Sequence, residues 1–125
     1  MATVLVIDDE SGIQLMLEHF FKSKDWEVRA ATNGLEAERM LADAAYDVVL
    51  MDYHLPKRSA GELLSFMDER KLDRPVIMTT GFSREEIKDT LEYKQVKGVM
   101  EKPFDLEEIF SLAEQLVTTE NNFYM

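Results

Sequence analysis

At 125 residues, with 46% hydrophobic and 31% charged side chains, the chain has the size and composition of one folded domain and not of a disordered segment. The absence of cysteine excludes disulfides, a thiol nucleophile and a cysteine-ligated zinc site, and is compatible with a reducing cytoplasm. A formal net charge of −11 repels phosphate backbones, so no direct nucleic-acid binding is expected, whereas cations and basic protein faces suit such a surface.

The start carries no basic residue and only a short apolar run, so it reads as a strand and not as a leader peptide. No apolar run approaches the roughly 20 residues of a membrane span, and no membrane partner is expected. Residues 3–8 are a β-branched apolar run of the buried-strand type. Ile13, Met16, Leu17, Phe20 and Phe21 then recur at helical spacing. Residues 26–31 read as a second strand, and Asn33 as the N-cap of a helix carrying Ala37, Met40, Leu41 and Ala44. The clearest buried strand is 46–52, centred on Val48-Val49-Leu50-Met51. A loop over 56–60 leads to a helix over 61–70 with Leu63, Leu64 and Met67 inward. Pro75 opens the strand 76–80, which Gly81 ends. Ser83 with Glu86 three residues on predicts a capping box and a helix to about Tyr93. A short strand follows over 97–101, and Asp105 caps a last helix to about Val117. The domain is expected over 1–119, with 120–125 as a C-terminal tail.

Apolar strands alternating with amphipathic helices, in five βα units, imply an α/β fold: one parallel sheet covered on both faces. Ligands bind such sheets at the carboxyl ends of the strands, near the point where strand order reverses. The strand ends here read Asp8-Asp9-Glu10, Met51-Asp52, Thr79-Thr80-Gly81 and Glu101-Lys102-Pro103. Taken singly, each group has a plainer role: a helix cap for Asp8 or Asp9, turn chemistry for Thr80, a solvated cation for Lys102. Taken together, carboxylates gathered at one edge repel each other unless a cation neutralises them, and oxygen ligands in a half-open site suit Mg²⁺. A lysine and a hydroxyl beside them point to an anion held against that metal, with phosphate the natural choice.

Val6-Ile7-Asp8-Asp9, Val48-Val49-Leu50-Met51-Asp52, Leu55-Pro56, Pro75-Val76-Ile77-Met78-Thr79-Thr80 and Lys102-Pro103-Phe104, in this order and spacing, resemble the receiver domain of two-component response regulators over essentially the whole chain. The resemblance implies a doubly wound, flavodoxin-like five-stranded sheet. It implies that Asp52 accepts a phosphoryl group from a histidine kinase or phosphotransfer protein, in the cytoplasm. Mg²⁺ would be held directly by Asp9, Asp52 and the backbone carbonyl of His54, with Asp8 acting through water. Lys102 would pair with Asp52 and then with a phosphoryl oxygen, Thr80 would turn its hydroxyl to the phosphoryl group, and the Lys102–Pro103 bond would be cis. Such a chain turns over no separate metabolite and acts through an unspecified downstream partner. The last helix carries Leu106, Ile109, Phe110, Leu112, Ala113, Leu116 and Val117, an apolar stripe wider than one buried face needs, which either marks an apolar partner face on the fourth helix, fifth strand and last helix or has Phe110 or Leu112 covering the sheet edge. A small phosphohydrolase using Asp52 would usually carry a second acid two residues on, where His54 stands.

The pattern departs from the family in three places. Val99 stands at the switch position, where the family has an aromatic ring. Gly61 follows Pro56 by five residues instead of four, so the loop with Lys57 and Arg58 is one residue longer; that basic pair is either solvated or a contact for an acidic partner. His54 and Phe82 lie two residues beyond Asp52 and Thr80, flanking the route of a hydrolytic water.

Overall fold

The computed structural model describes residues 1–123, with side chains described through Val117. Five strands and their helices alternate: β1 (Thr3–Ile7), α1 (Ser11–Ser23), β2 (Glu27–Ala31), α2 (Gly34–Asp43), β3 (Val48–Asp52), α3 (Ala60–Glu69) and β4 (Val76–Thr80). A 3-10 turn (Arg84–Ile87) then leads into α4 (Lys88–Leu91), and β5 (Val96–Glu101) precedes α5 (Leu106–Phe123). All pairings are parallel, in the order β2-β1-β3-β4-β5. The order reverses at β1, whose two neighbours are β2 and β3. Among the described residues no helix is long and apolar enough to cross a membrane.

Alternation along each strand divides the core. Val4, Val6, Val48, Leu50 and Ile77 face α1 and α5, where they meet Leu17, Phe21, Ile109, Phe110 and Ala113. Leu5, Ile7, Val49, Met51, Val76 and Met78 face the other way, onto Ala37, Leu41, Leu63, Leu64, Met67 and Ile87. β3 and β4 are buried at every position, which is why they read as unbroken apolar runs.

Side chains at the helix starts set where the chain re-enters each helix. Asn33 accepts the Glu36 N–H at 2.9 Å, and Asp105 accepts those of Glu107 and Glu108. Ser59 and Glu62 form a reciprocal capping box that the sequence reading passed over, so α3 begins at Ala60. The box expected at Ser83 is absent. There the Glu86 N–H donates to the Ser83 backbone carbonyl, closing a 3-10 turn. The Thr90 hydroxyl then donates to the Ile87 carbonyl at 2.8 Å, competing with the helix ladder, and α4 lasts one turn. α5 continues beyond its expected end near Val117 to Phe123, with no glycine or proline to stop it; Tyr124 and Met125 of the expected tail lie outside the described residues.

The broad apolar stripe of α5 is consumed internally. Ile109 and Ala113 cover the sheet, Leu112 lies over Gly98 of the edge strand, and Phe110 joins Phe20, Phe21 and Trp26 in an edge-to-face aromatic group. Among the described residues the exposed large apolar side chains are Met1, Leu15, Met16 and Phe82. Among the residues described through Val117, α4, β5 and α5 therefore carry no exposed large apolar side chain, and the apolar partner face expected there is not found, because α5 packs against α1 as well as the sheet. Met16, expected inward, is on the outer side of α1.

Gly34 opens α2 where the loop after β3 crosses it. Its N–H donates to the Pro56 carbonyl at 3.0 Å, and a Cβ there would lie 2.2 Å from the Arg58 carbonyl oxygen. Gly98 would place its Cβ 2.5 Å from the end of a Leu112 side chain, which can turn aside. Gly34→Ala is therefore expected to cost about 1–3 kcal/mol in urea denaturation and to cost more than Gly98→Ala. Equal losses would mean that the loop yields as easily as a leucine rotamer.

Candidate functional site

Three adjacent strands deliver their ends to one edge of the sheet. Asp8 follows β1, and its N–H still bonds the Ala31 carbonyl of β2 at 3.1 Å. Asp52 is the last residue of β3, in register with Thr79. Thr80 ends β4, and its carbonyl accepts the Lys102 N–H at 2.7 Å, which ties the segment after β5 to the same edge. The Lys102–Pro103 peptide is cis, as the resemblance implied.

The Lys102 ammonium lies 3.2 Å from Asp8 Oδ2, 3.2 Å from Glu10 Oε1 and 3.5 Å from Asp52 Oδ1. Asp8 and Asp52 are buried, at 2% and 4% exposure, and Glu10 stands on the solvent side. The carboxylate oxygens of Asp8, Glu10 and Asp52 all fall within 4.8 Å of one another. Asp9 is exposed and outside that trio, though its charge reaches Asp52. Glu10 was not among the expected site residues. The one signal in the sequence was its place in the run Asp8-Asp9-Glu10 after the first strand; in the structure it holds the N-cap of α1, where a glutamate is a poor cap, and makes no capping bond.

Of the other expected residues, Thr80 is fully buried, and its hydroxyl accepts the Phe82 N–H at 2.9 Å. His54 and Phe82 meet edge to face at the mouth, with ring centroids 4.7 Å apart. Val99 sits opposite Met78 in the sheet, half-buried against the α2–α4 side of the core, at the place where the family has a ring. Arg58 pairs with Glu38 and Glu62 of its own chain, at 3.4 and 3.2 Å, so its acidic partners are internal. Lys57 beside it has a left-handed backbone, φ 73°, which accommodates the longer loop.

Burial pushes the Asp52 carboxyl up to about 6; the neighbouring Asp8 charge adds to this, Lys102 opposes it and Asp9 adds a little more. Burial also raises Asp8, against a backbone hydrogen bond from Glu10 and the Lys102 charge. For Lys102, burial lowers the ammonium, but Asp52 and Asp8 outweigh it and hold it above the usual lysine range. One ammonium among three carboxylates leaves an excess of negative charge in a set of hard oxygen donors, an environment suited to a divalent cation.

Comparisons with known proteins agree on this architecture. The family model described as "Response regulator receiver domain" matches residues 4–114. The chain is 33% identical over 109 residues to the regulatory protein AtoC of Escherichia coli, covering 85% of this chain but only 23% of that protein. It is 27% identical to sporulation initiation phosphotransferase F of Bacillus subtilis, covering 95% of this chain and 96% of that one. Among solved structures, the receiver domain of a Francisella response regulator superposes with a TM-score of 0.89 at 24% identity, covering 96% and 99% of the two chains. The chemotaxis response regulator CheY4 of Vibrio cholerae does so with a TM-score of 0.83 at 27% identity, covering 93% and 98%.

The raised Asp52 carboxyl sets a pH dependence. Its folded-state pKa of about 6 lies above the unfolded value of roughly 3.9, so the native state holds the extra proton between those values. Stability from this group is present at low pH and is lost as pH rises through that window; above it, the charged carboxylate opposes folding. With divalent metal chelated, Asp52→Asn is expected to stabilise the protein at pH 7.5 by about 1–3 kcal/mol and to lose that advantage toward pH 4. Urea melts across this range check it; a gain independent of pH would trace to packing and not to charge.

Proposed function

The chain belongs to the response-regulator receiver family and is the receiver domain of a two-component response regulator, and from that premise we propose that Asp52 is its phosphoacceptor. The observation that carries the reading is the convergence of Lys102 on Asp8 and Asp52 from separate strand ends, with Asp52 buried at the end of central β3. A carboxylate there has one face toward the opening and its charge partly neutralised.

The proposed donor is a phosphohistidine on a histidine kinase or phosphotransfer protein. An Asp52 carboxylate oxygen attacks phosphorus, a P–O bond forms and the P–N bond breaks. The leaving imidazole keeps the electron pair and takes a proton from solvent. Asp52 must be ionised, which its burial opposes and a bound cation would favour. Lys102 moves its charge from Asp52 to a phosphoryl oxygen, and Thr80 gives its hydroxyl to another. The carboxylate oxygens of Asp8, Glu10 and Asp52, all within 4.8 Å of one another, fit Mg²⁺; in the proposed site Asp52, Asp9 (exposed and outside that trio here) and the His54 backbone carbonyl would hold it directly, and Asp8 through water. When bound, it supplies neutralisation of the carboxylates and of the phosphoryl oxygens. Water later cleaves the acyl phosphate in the same pocket, so no separate metabolite is turned over.

The proposed location is the cytoplasm, where ATP-charged kinases supply phosphohistidine. The output partner is a protein or effector domain; the net charge of −11 argues against direct contact with nucleic acid. Val99 cannot supply the ring movement of the family, so Thr80 is the proposed switch without an aromatic follower.

Incubation with a small phosphodonor and Mg²⁺ is expected to raise the intact mass by one phosphoryl unit, and Asp52→Asn is expected to abolish the gain. Equal labelling of the variant would overturn the assignment.

The Phe82 ring, resting on His54 at the mouth, offers no hydrogen bond to an attacking water and covers part of its route. Phe82→Asn and Phe82→Glu are expected to shorten the life of phosphorylated protein by roughly threefold to tenfold at fixed Mg²⁺. Decay after donor removal measures it; equal or slower decay in both variants would show that the ring is no shield.

A further inference from the structure

Glu10 has no structural task that explains its position. It holds the N-cap of α1 without capping it; its N–H is taken by Asp8 Oδ1 at 2.9 Å, and its side chain crosses to Lys102. An ammonium has three hydrogens and here faces three carboxylates. Two of them, Asp8 and Glu10, accept at 3.2 Å, while Asp52 stands off at 3.5 Å, beyond a well-formed hydrogen bond. Asp8 is buried and anchored by the backbone; Glu10 is solvent-exposed and drawn in only by the lysine. Lys102 is therefore hydrogen-bonded to Asp8 below and to Glu10 outside, while Asp52 holds it by charge from the longest of the three distances.

We propose that Glu10 is a positioning residue that draws Lys102 away from Asp52 and so weakens the site's hold on a phosphoryl group there. The inference rests on the reading of Asp52 as phosphoacceptor. A phosphoryl group on Asp52 brings more negative charge than the carboxylate it replaces and needs Lys102 more. Glu10 competes for that ammonium. Without Glu10 the lysine is free to close on the phosphoryl oxygen, and the phosphorylated state gains relative to the resting one. Glu10 in this way sets the balance between the two states without touching the transferred group.

Beryllofluoride, a tetrahedral mimic that bonds to a carboxylate oxygen, tests this at saturating Mg²⁺, with bound probe measured by ¹⁹F NMR. Mg²⁺ affinity is measured separately in each protein. Glu10→Gln is expected to bind beryllofluoride roughly three- to tenfold more tightly than wild type, the scale of a partly exposed charge pair. Glu10→Asp keeps the charge but falls one methylene short of Lys102 and is expected to tighten binding as well. The thermal midpoint of Glu10→Gln should match wild type, because no cap or core contact is lost, and that of Glu10→Asp, which places a good cap residue at the start of α1, should not fall below it. Tightening in Glu10→Gln alone would show a through-space charge effect and overturn the role through Lys102. Unchanged or weaker binding in Glu10→Gln, with wild type binding normally and Asp52→Asn not at all, would overturn the Glu10 inference alone. Binding to Asp52→Asn as tight as to wild type, or no binding by wild type, would overturn the reading of the site and this inference with it.

Discussion

A single ammonium shared by three carboxylates is the interaction on which the rest of this molecule depends. Asp8 and Asp52 are almost fully buried, and neither desolvation nor mutual repulsion favours two adjacent charges there. Lys102 offsets only part of the cost, as the elevated Asp52 carboxyl shows. A buried ion pair of this kind is a weak source of stability. It leaves an excess of negative charge that suits a cation, and the remainder of the fold has to hold that unfavourable arrangement in place.

The holding is done by burial on both faces of the sheet. β1 and β3 are central strands, and their side chains are locked alternately into two apolar layers. Asp8 and Asp52 leave those strands directly, without a flexible linker, so their backbones are as fixed as the core. Lys102 is held from a third side through the Thr80 carbonyl. In α5, Ile109, Phe110 and Ala113 are buried against the sheet and the aromatic group, and Leu112 lies over Gly98.

The parts free to respond lie at the rim. The loop after β4 is tethered by the Thr80 hydroxyl at the Phe82 N–H, and the Phe82 ring leans on His54. A change in the direction of that hydroxyl reaches the loop through one bond. Behind it, Val99 presents a small, half-buried side chain packed against the core. The one-turn α4, preceded by a 3-10 turn, is the least regular of the helices and adjoins this loop.

Much of this was legible from residues alone. Unbroken apolar runs such as Val48–Met51 meant central parallel strands, because only strands buried on both faces are apolar at consecutive positions. The acids and the lysine at strand ends followed from that, since parallel strands share one carboxyl edge. Asn33 and Asp105 capped as read, because capping is a local bond within three residues. Other features were settled by partners distant in sequence. Whether Glu10 or Asp9 turns toward Lys102, more than ninety residues away, depends on the side-chain directions where two loops meet. The failed cap at Ser83 was decided by a backbone bond and by Thr90, and the covered stripe of α5 by the approach of α1. Local bonds and periodicity are written in neighbouring residues; which charges meet and which apolar faces are covered is fixed only when separate elements pack.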